Sequence, residues 1–222
     1  MKKYLALVLA VLMALACVAL VACGECKHFY YNGTCMECGQ PDPNYNPGGN
    51  QGGTTSVDTT ISDTALQCKN TGKIFVTSIG QNGSSTVTGL LDNLGITYTE
   101  NAVLAASDVT ANDIVIVVLG SSGKGLGGAT GHSKESEIAR FNAIAAVEGV
   151  EIIAVVPAGD TALRGATSDP IHQAACPKAD VTLVINTANG DKFFNNLCAP
   201  GTLFEYSRAS KMPASLQFLL NK

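Results

Sequence analysis

Residues 114–119 read Ile-Val-Ile-Val-Val-Leu, six apolar residues with no polar position among them. A strand with one wet face alternates polar and apolar side chains. This run does not, so both of its faces need covering, as in a parallel sheet between helical layers. Residues 74–79, 151–156 and 181–185 are similar, mainly apolar runs, and 96–99 and 202–206 are shorter candidates, the latter at an edge. Helical periodicity fills the gaps. Val87, Leu90, Leu91 and Leu94 share one face of 84–95; Ser107-Asp108 caps a brief turn; Ser133 caps a helix reaching about Glu148 through Ile138, Phe141, Ile144, Ala145 and Val147. Asp169-Pro170 opens another helix with Asp as cap and Pro in first position. Residues 191–197 and 213–220 complete the set. Alternating strands and helices predict a three-layer α/β domain, flavodoxin-like or Rossmann-like, with a mainly parallel sheet of five or six strands. The short second-to-third connection suits strand order 2-1-3-4-5. That order places a ligand crevice at the carboxyl ends of strands one and three.

The amino terminus has a different character. Lys2 and Lys3 precede an apolar stretch from Leu5 to Ala22. The pattern resembles an export signal. Leu20-Val21-Ala22-Cys23 resembles a bacterial lipobox, with cleavage before Cys23 and acylation of its thiol; Ala14-Leu15-Ala16-Cys17 is a weaker match. A plain transmembrane anchor is the alternative. Two acyl chains on Cys23 would anchor the chain stably and extracytoplasmically, on the outer face of a bacterial membrane. Losing Lys2 and Lys3 with the signal takes the net charge from −4 to −6. An acidic chain without basic runs argues against nucleic acid as a partner. A single long apolar run excludes a polytopic membrane protein.

A compact Cys/His segment follows. Cys26 and His28 are separated from Cys35 and Cys38 by a stretch containing Asn32-Gly33, a strong hairpin signal. Three thiolates and an imidazole would close a tetrahedral structural zinc site, and metal would supply the folding energy so small a unit lacks. Disulfide pairing and a redox-active C-x-x-C remain alternatives. The segment resembles small Cys/His modules of secreted and lipid-anchored proteins from anaerobic bacteria, which often end in a tail like Pro41-Asp42-Pro43. Residues 40–71 are rich in Gly, Pro, Ser and Thr and read as a flexible linker without secondary structure. The expected organisation is a lipoprotein signal peptide (1–22), lipidated Cys23 with the knuckle (23–39), the linker (40–71) and the α/β domain (72–222).

Three loops leave the carboxyl ends of the predicted strands. The first contributes Ser78, Gly80 and Gln81; the second Ser121, Ser122, Lys124, Gly125 and Gly127; the third Arg164, Ser168 and Asp169. Hydroxyls, free main-chain N–H groups and two cations suit a small polar or anionic ligand. Arg164 is the expected planar clamp. Gly-rich turns are also ordinary after parallel strands, and both cations could be merely solvated. Sharper motifs fail. Lys124 precedes Gly125 where a phosphate-binding P-loop needs Ser or Thr, and the literal G-x-G-x-x-G at 123–128 lacks its acidic partner. No G-x-S-x-G elbow occurs. Ser84-Ser85-Thr86 faintly resembles a flavodoxin phosphate loop, but the later loops bring no aromatic residues for a flavin. No organic cofactor is evident. His132 and His172 have no clear partner nucleophile, and Asp160 and Asp169 are candidate acids. Cys176 and Cys198 are read as a disulfide or as buried thiols, with Cys68 left over.

Ser121-Ser122, Lys124-Gly125-Leu126-Gly127, Glu135 and Arg140, then Arg164-Gly165-x-x-Ser168-Asp169 and Ala179-Asp180, resemble the domain-of-unknown-function family 6305 of bacteria. The resemblance covers about residues 72–220. It implies an exported α/β domain and supplies no reaction. Members often carry a second Arg where this chain has Leu163.

The leading expectation is a surface lipoprotein whose α/β domain binds a small ligand. The alternatives are an extracytoplasmic hydrolase or transferase using Asp160 or His132 as base, and a ligand-free interaction module. Under the binding reading, replacing Lys124 or Arg164 by Ala should leave stability nearly unchanged.

Overall fold

The computed structural model describes residues 57–120, 126, 131–161 and 164–222, with the backbone of 30–31 and 34–35. The chain divides into two units, Met1–Gln51 and Gly52–Lys222. In the first, β1 (Tyr30–Tyr31) pairs antiparallel with β2 (Thr34–Cys35), Tyr31 opposite Thr34. Cys23, Cys26, His28 and Cys38 lie outside the described residues, as do Ser121, Ser122, Lys124, Gly125 and Gly127.

The second unit contains one six-stranded parallel sheet. Its strands are β3 (Ile74–Ile79), β4 (Thr99–Glu100), β5 (Ile114–Leu119), β6 (Glu151–Val156), β7 (Val181–Ile185) and β8 (Leu203–Tyr206). They lie in the order β4-β3-β5-β6-β7-β8. This is the expected 2-1-3-4-5 order with a sixth strand at the far edge, and it confirms the three-layer α/β class. Every residue of β3 and β5 is buried, which accounts for the unbroken apolar run. Ile74 sits opposite Ile114, and the match continues to Ile79 opposite Leu119. Each fully buried Ile, Val or Leu contributes roughly 1.5–3 kcal/mol of transfer free energy, so the central strands dominate the core.

Among the described residues, four α-helices cover the sheet: α1 (Ser84–Asn93), α2 (Lys134–Ala145), α3 (Asp169–Ala175) and α4 (Pro213–Leu219). α1 packs with α4, and α2 with α3, giving one pair per face. Ser133 starts α2 through a reciprocal bond with Ser136: the Ser136 N–H donates to Ser133 Oγ at 3.1 Å and the Ser133 N–H to Ser136 Oγ at 2.9 Å.

Several local expectations change. The second strand is only Thr99–Glu100, both exposed, because an edge strand of two residues buries too little to extend. Residues 191–197 form a 3-10 turn at Phe194–Asn196 rather than an α-helix. α2 ends at Ala145, short of Glu148. Ser168 occupies the cap position of α3, and Asp169 is the first helical residue.

Residues 57–71 do not hang free. Ile61 is 2% exposed within the core, Thr64–Leu66 form a 3-10 turn, and the Cys68 N–H donates to Leu219 O at 2.8 Å. The Asp58 N–H donates to Glu205 O at 2.9 Å, and Asp58 Oδ1 accepts from the Ser207 N–H at 2.8 Å, so this segment covers the β8 edge. The Asn70 amide donates to the carbonyls of Ala111, Asp113 and Gly149. An isolated Ile and Leu in polar surroundings carry no periodicity, which is why this segment reads as linker. The fold predicts that Ile61→Ala lowers stability by about 2–4 kcal/mol in urea denaturation, the range for a large core truncation. A tether would show no change.

Candidate functional site

A cavity of about 370 Å³ opens at the carboxyl ends of β3, β5 and β6. Its wall includes Asn82, Gly83, Ser85 and Thr86 at the start of α1, then Gly120, Pro157 to Asp160, Arg164, Ser168 and His172. This is the point where strand order reverses. A larger hollow of about 580 Å³ lies at the opposite end of β3, between Gly72–Ile74, Leu94–Thr99 and Lys222. No buried polar side chain without a hydrogen bond lines it among the described residues.

Gly83 holds the turn into α1 at φ 88°, in the left-handed region that glycine enters without strain. No side chain caps the helix, and no acidic residue occupies its first turn. The Thr86 N–H donates to Gly83 O at 3.2 Å, leaving the N–H groups of Ser84 and Ser85 ahead of the helical ladder. These groups and the helix dipole favour negative charge at this end of the cavity.

The opposite wall is built around Arg164. Its side chain is 7% exposed, its guanidinium carbon lies 4.0 Å from the Phe193 ring centroid, and its Nη2 donates to Asp191. Asp169 Oδ1 is 3.6 Å from its Nη1. Arg164 is thus ion-paired with two carboxylates, while its Nε and Nη1 are buried without a hydrogen-bond partner in the cavity wall. Burial pushes the Asp169 carboxyl above its usual value; Arg164 opposes this and Asp191 adds to it. Ser168 Oγ accepts from the Gly165 N–H at 3.2 Å and shapes the turn that carries Arg164.

His172 lies one helical turn after Asp169 and is 4% exposed. Its ring centroid is 5.0 Å from that of Phe194. Burial first, then the Arg164 charge, push its pKa down to about 4, so the ring is neutral at neutral pH. The ring is hydrogen-bonded to the Leu119 main chain, and its Nδ1 has no hydrogen-bond partner. With the proton on the nitrogen facing the Leu119 carbonyl, Nδ1 is a lone-pair acceptor awaiting a donor.

The first loop divides between two roles. Asn82, Gly83, Ser85 and Thr86 line the cavity, whereas Ser78, Gly80 and Gln81 serve a buried clip behind it. Glu137 is fully buried and accepts from the Gly80 N–H at 2.9 Å, Gln81 Nε2 at 3.1 Å and Arg140 Nη2 at 2.8 Å. Arg140 also donates to Ser78 O at 2.6 Å and Thr77 Oγ1 at 3.0 Å. Burial alone would raise the Glu137 carboxyl, but hydrogen bonds from Arg140, Gly80 and Gln81 hold it below the usual carboxylate value. His132 Nδ1 is 3.4 Å from Glu137 Oε1. Sequence reasoning missed Glu137 and Asp191 altogether. His172 was visible as a lone His, and its i+3 spacing from Asp169 was the signal that the two share a helix face.

A family model described as Domain of unknown function (DUF6305) matches residues 71–204, a span that contains every residue of the cavity wall. No curated protein and no solved structure matches the chain.

Two outcomes follow from the buried Arg164 and His172. Arg164→Ala should destabilise the domain by at least ~1–2 kcal/mol in urea denaturation, because it leaves Asp169 and Asp191 without their shared cation; the half-exposed Asp191 keeps the cost below that of a fully buried pair. An unfolded His accepts a proton near pH 6.5, but the folded ring accepts one only near pH 4. The stability that His172 contributes is therefore complete above pH 6.5 and lost as pH falls towards 4, by up to ~3 kcal/mol. His172→Gln should flatten the stability profile in that window. Glu137, held low, gives up its contribution only further down as it protonates.

Proposed function

The chain belongs to the family described as Domain of unknown function (DUF6305), and we propose that its α/β domain is a receptor for a small polar ligand with an anionic end. The observation that carries this reading is the pairing of two opposed features on one cavity. The uncapped start of α1 offers N–H donors, and across from it His172 presents a neutral ring with an unpartnered acceptor. A ligand carrying an anionic group at one end and a hydroxyl or amine at the other satisfies both. Asp160 in the wall adds a second acceptor for the donor end. A volume of about 370 Å³ suits a metabolite rather than a polymer.

We further propose that the domain works outside the cytoplasm, held to the bacterial cell membrane by acylated Cys23. The lipobox-like Leu20-Val21-Ala22-Cys23 after an apolar run supports this. Cys26, His28, Cys35 and Cys38 are the candidate ligands of a structural zinc ion beside the anchor. Their donor chemistry supports the assignment, and so does the antiparallel pairing of Tyr30–Tyr31 with Thr34–Cys35 between the two groups of ligands.

The test is titration of inorganic phosphate and of acetate into the soluble form, residues 24–222, followed by thermal melting and calorimetry. Binding of at least one anion, with a raised melting temperature, is the expected result. Ser85→Asp places a carboxylate in the first turn of α1, where the helix tolerates or welcomes it. It should abolish that stabilisation while leaving the unliganded protein folded. A Ser85→Asp variant that responds like the parent would sink the anion subsite. Native mass spectrometry of the same protein should show a zinc-sized increment that chelator removes.

A further inference from the structure

Cys176 and Cys198 are 22 positions apart in sequence, yet each lies one turn beyond a member of the His172–Phe194 ring contact (centroids 5.0 Å apart), the Cys176 N–H donating to His172 O and the Cys198 N–H to Phe194 O, so the two thiols are neighbours. Both are free thiols in this structure. Cys176 opens the 3-10 turn that continues α3 and is 1% exposed. Cys198 follows the Phe194–Asn196 turn, is partly exposed, and its N–H donates to Phe194 O at 3.0 Å. The two sulfurs therefore join the elements that carry opposite halves of the Arg164 site. α3 brings Asp169 and His172, and the segment containing Cys198 brings Asp191, Phe193 and Phe194.

We propose that Cys176 and Cys198 are a cross-linking site, a dithiol that closes to a disulfide and locks α3 to the 191–198 segment behind the cavity. The geometry sets the order of steps. Cys198 is the accessible member, and the hydrogen bond from Cys176 holds its pKa below the usual thiol value. Burial raises the Cys176 thiol. The Cys198 thiolate attacks one sulfur of a low-molecular-weight disulfide, forming a mixed disulfide and expelling one thiolate. Cys176 then loses its proton and attacks the Cys198 sulfur, expelling the second thiol. The two protein thiols are oxidised, and one external disulfide is reduced to two thiols. Cys68 has no part in this. Burial, with the nearby Glu151 and Asp180 carboxylates, pushes its thiol up to about 12 and keeps it unreactive.

The cross-link does not depend on the ligand reading, and its test is independent of any ligand. The full chain is incubated with oxidised glutathione, the remaining thiols are alkylated, and the protein is digested with trypsin. Cleavage after Lys178 and Lys192 puts the two cysteines on separate peptides. The expected product is one linked pair holding Cys176 and Cys198, separated again by dithiothreitol. The oxidised protein should melt about 5–10 °C higher than the reduced one. Glutathione retained on Cys198 with Cys176 alkylated would overturn the proposal. So would alkylation of both, or a link from either to another cysteine. In Cys176→Ser the reaction should stop at the glutathione adduct of Cys198.

Discussion

Glu137 has no contact with solvent and still carries its charge, because three donors converge on it. Taking a carboxylate out of water costs several kcal/mol, and the Arg140 pair with the Gly80 and Gln81 bonds offsets that only while the geometry holds. Two of the donors, Gly80 and Gln81, come from the loop after β3, and the third, Arg140 of α2, reaches further, to Ser78 O and to Leu104 O at 3.3 Å. One buried carboxylate on α2 thereby sets the path of the chain between β3 and α1. Gln81 is held at φ 61°, a conformation that costs a non-glycine residue energy unless its surroundings enforce it. Two residues on, the chain enters α1. The direction in which the start of that helix points, and so the position of its free N–H groups, follows from a bond network on the other side of the sheet.

The cavity wall follows a similar logic with the opposite result. Arg164 looks like a ligand clamp in isolation, but Asp169 and Asp191 pair with it and Phe193 covers its face. Its work is to hold α3 and the 191–194 segment together, which keeps His172 dry. A dry, neutral imidazole beside a fixed cation then offers a lone pair rather than a positive charge.

Much of the architecture was legible because the signals were local. The unbroken apolar run at 114–119 and the largely apolar 74–79, interrupted by Thr77 and Ser78, fit strands covered on both faces, and the short connection through 96–100 favours one crossover order. Ser133 announces α2 because a cap acts within one turn. The site was legible as a set of loops but not as a set of side chains. Gly80 and Gln81 turned inward to Glu137 and Ser78 to Arg140, more than 50 positions away, and no periodicity in either segment signals that pairing. Ile61 escaped notice for the same reason, since its burial depends on Ser215 and the β8 edge at the far end of the chain.

The sequence by itself determined the layers, the strand order and the end of the sheet at which the candidate loops gather. Those follow from hydrophobic burial and chain connectivity, which are read within windows of ten to twenty residues. Tertiary structure alone decided which charges are spent and which are available. Whether Arg164 greets a ligand or two aspartates, and whether His172 is a cation or a lone pair, depends on neighbours brought within about 4 Å by folding. Electrostatics in a dry site changes steeply over a few ångströms, and sequence distance carries no record of that separation.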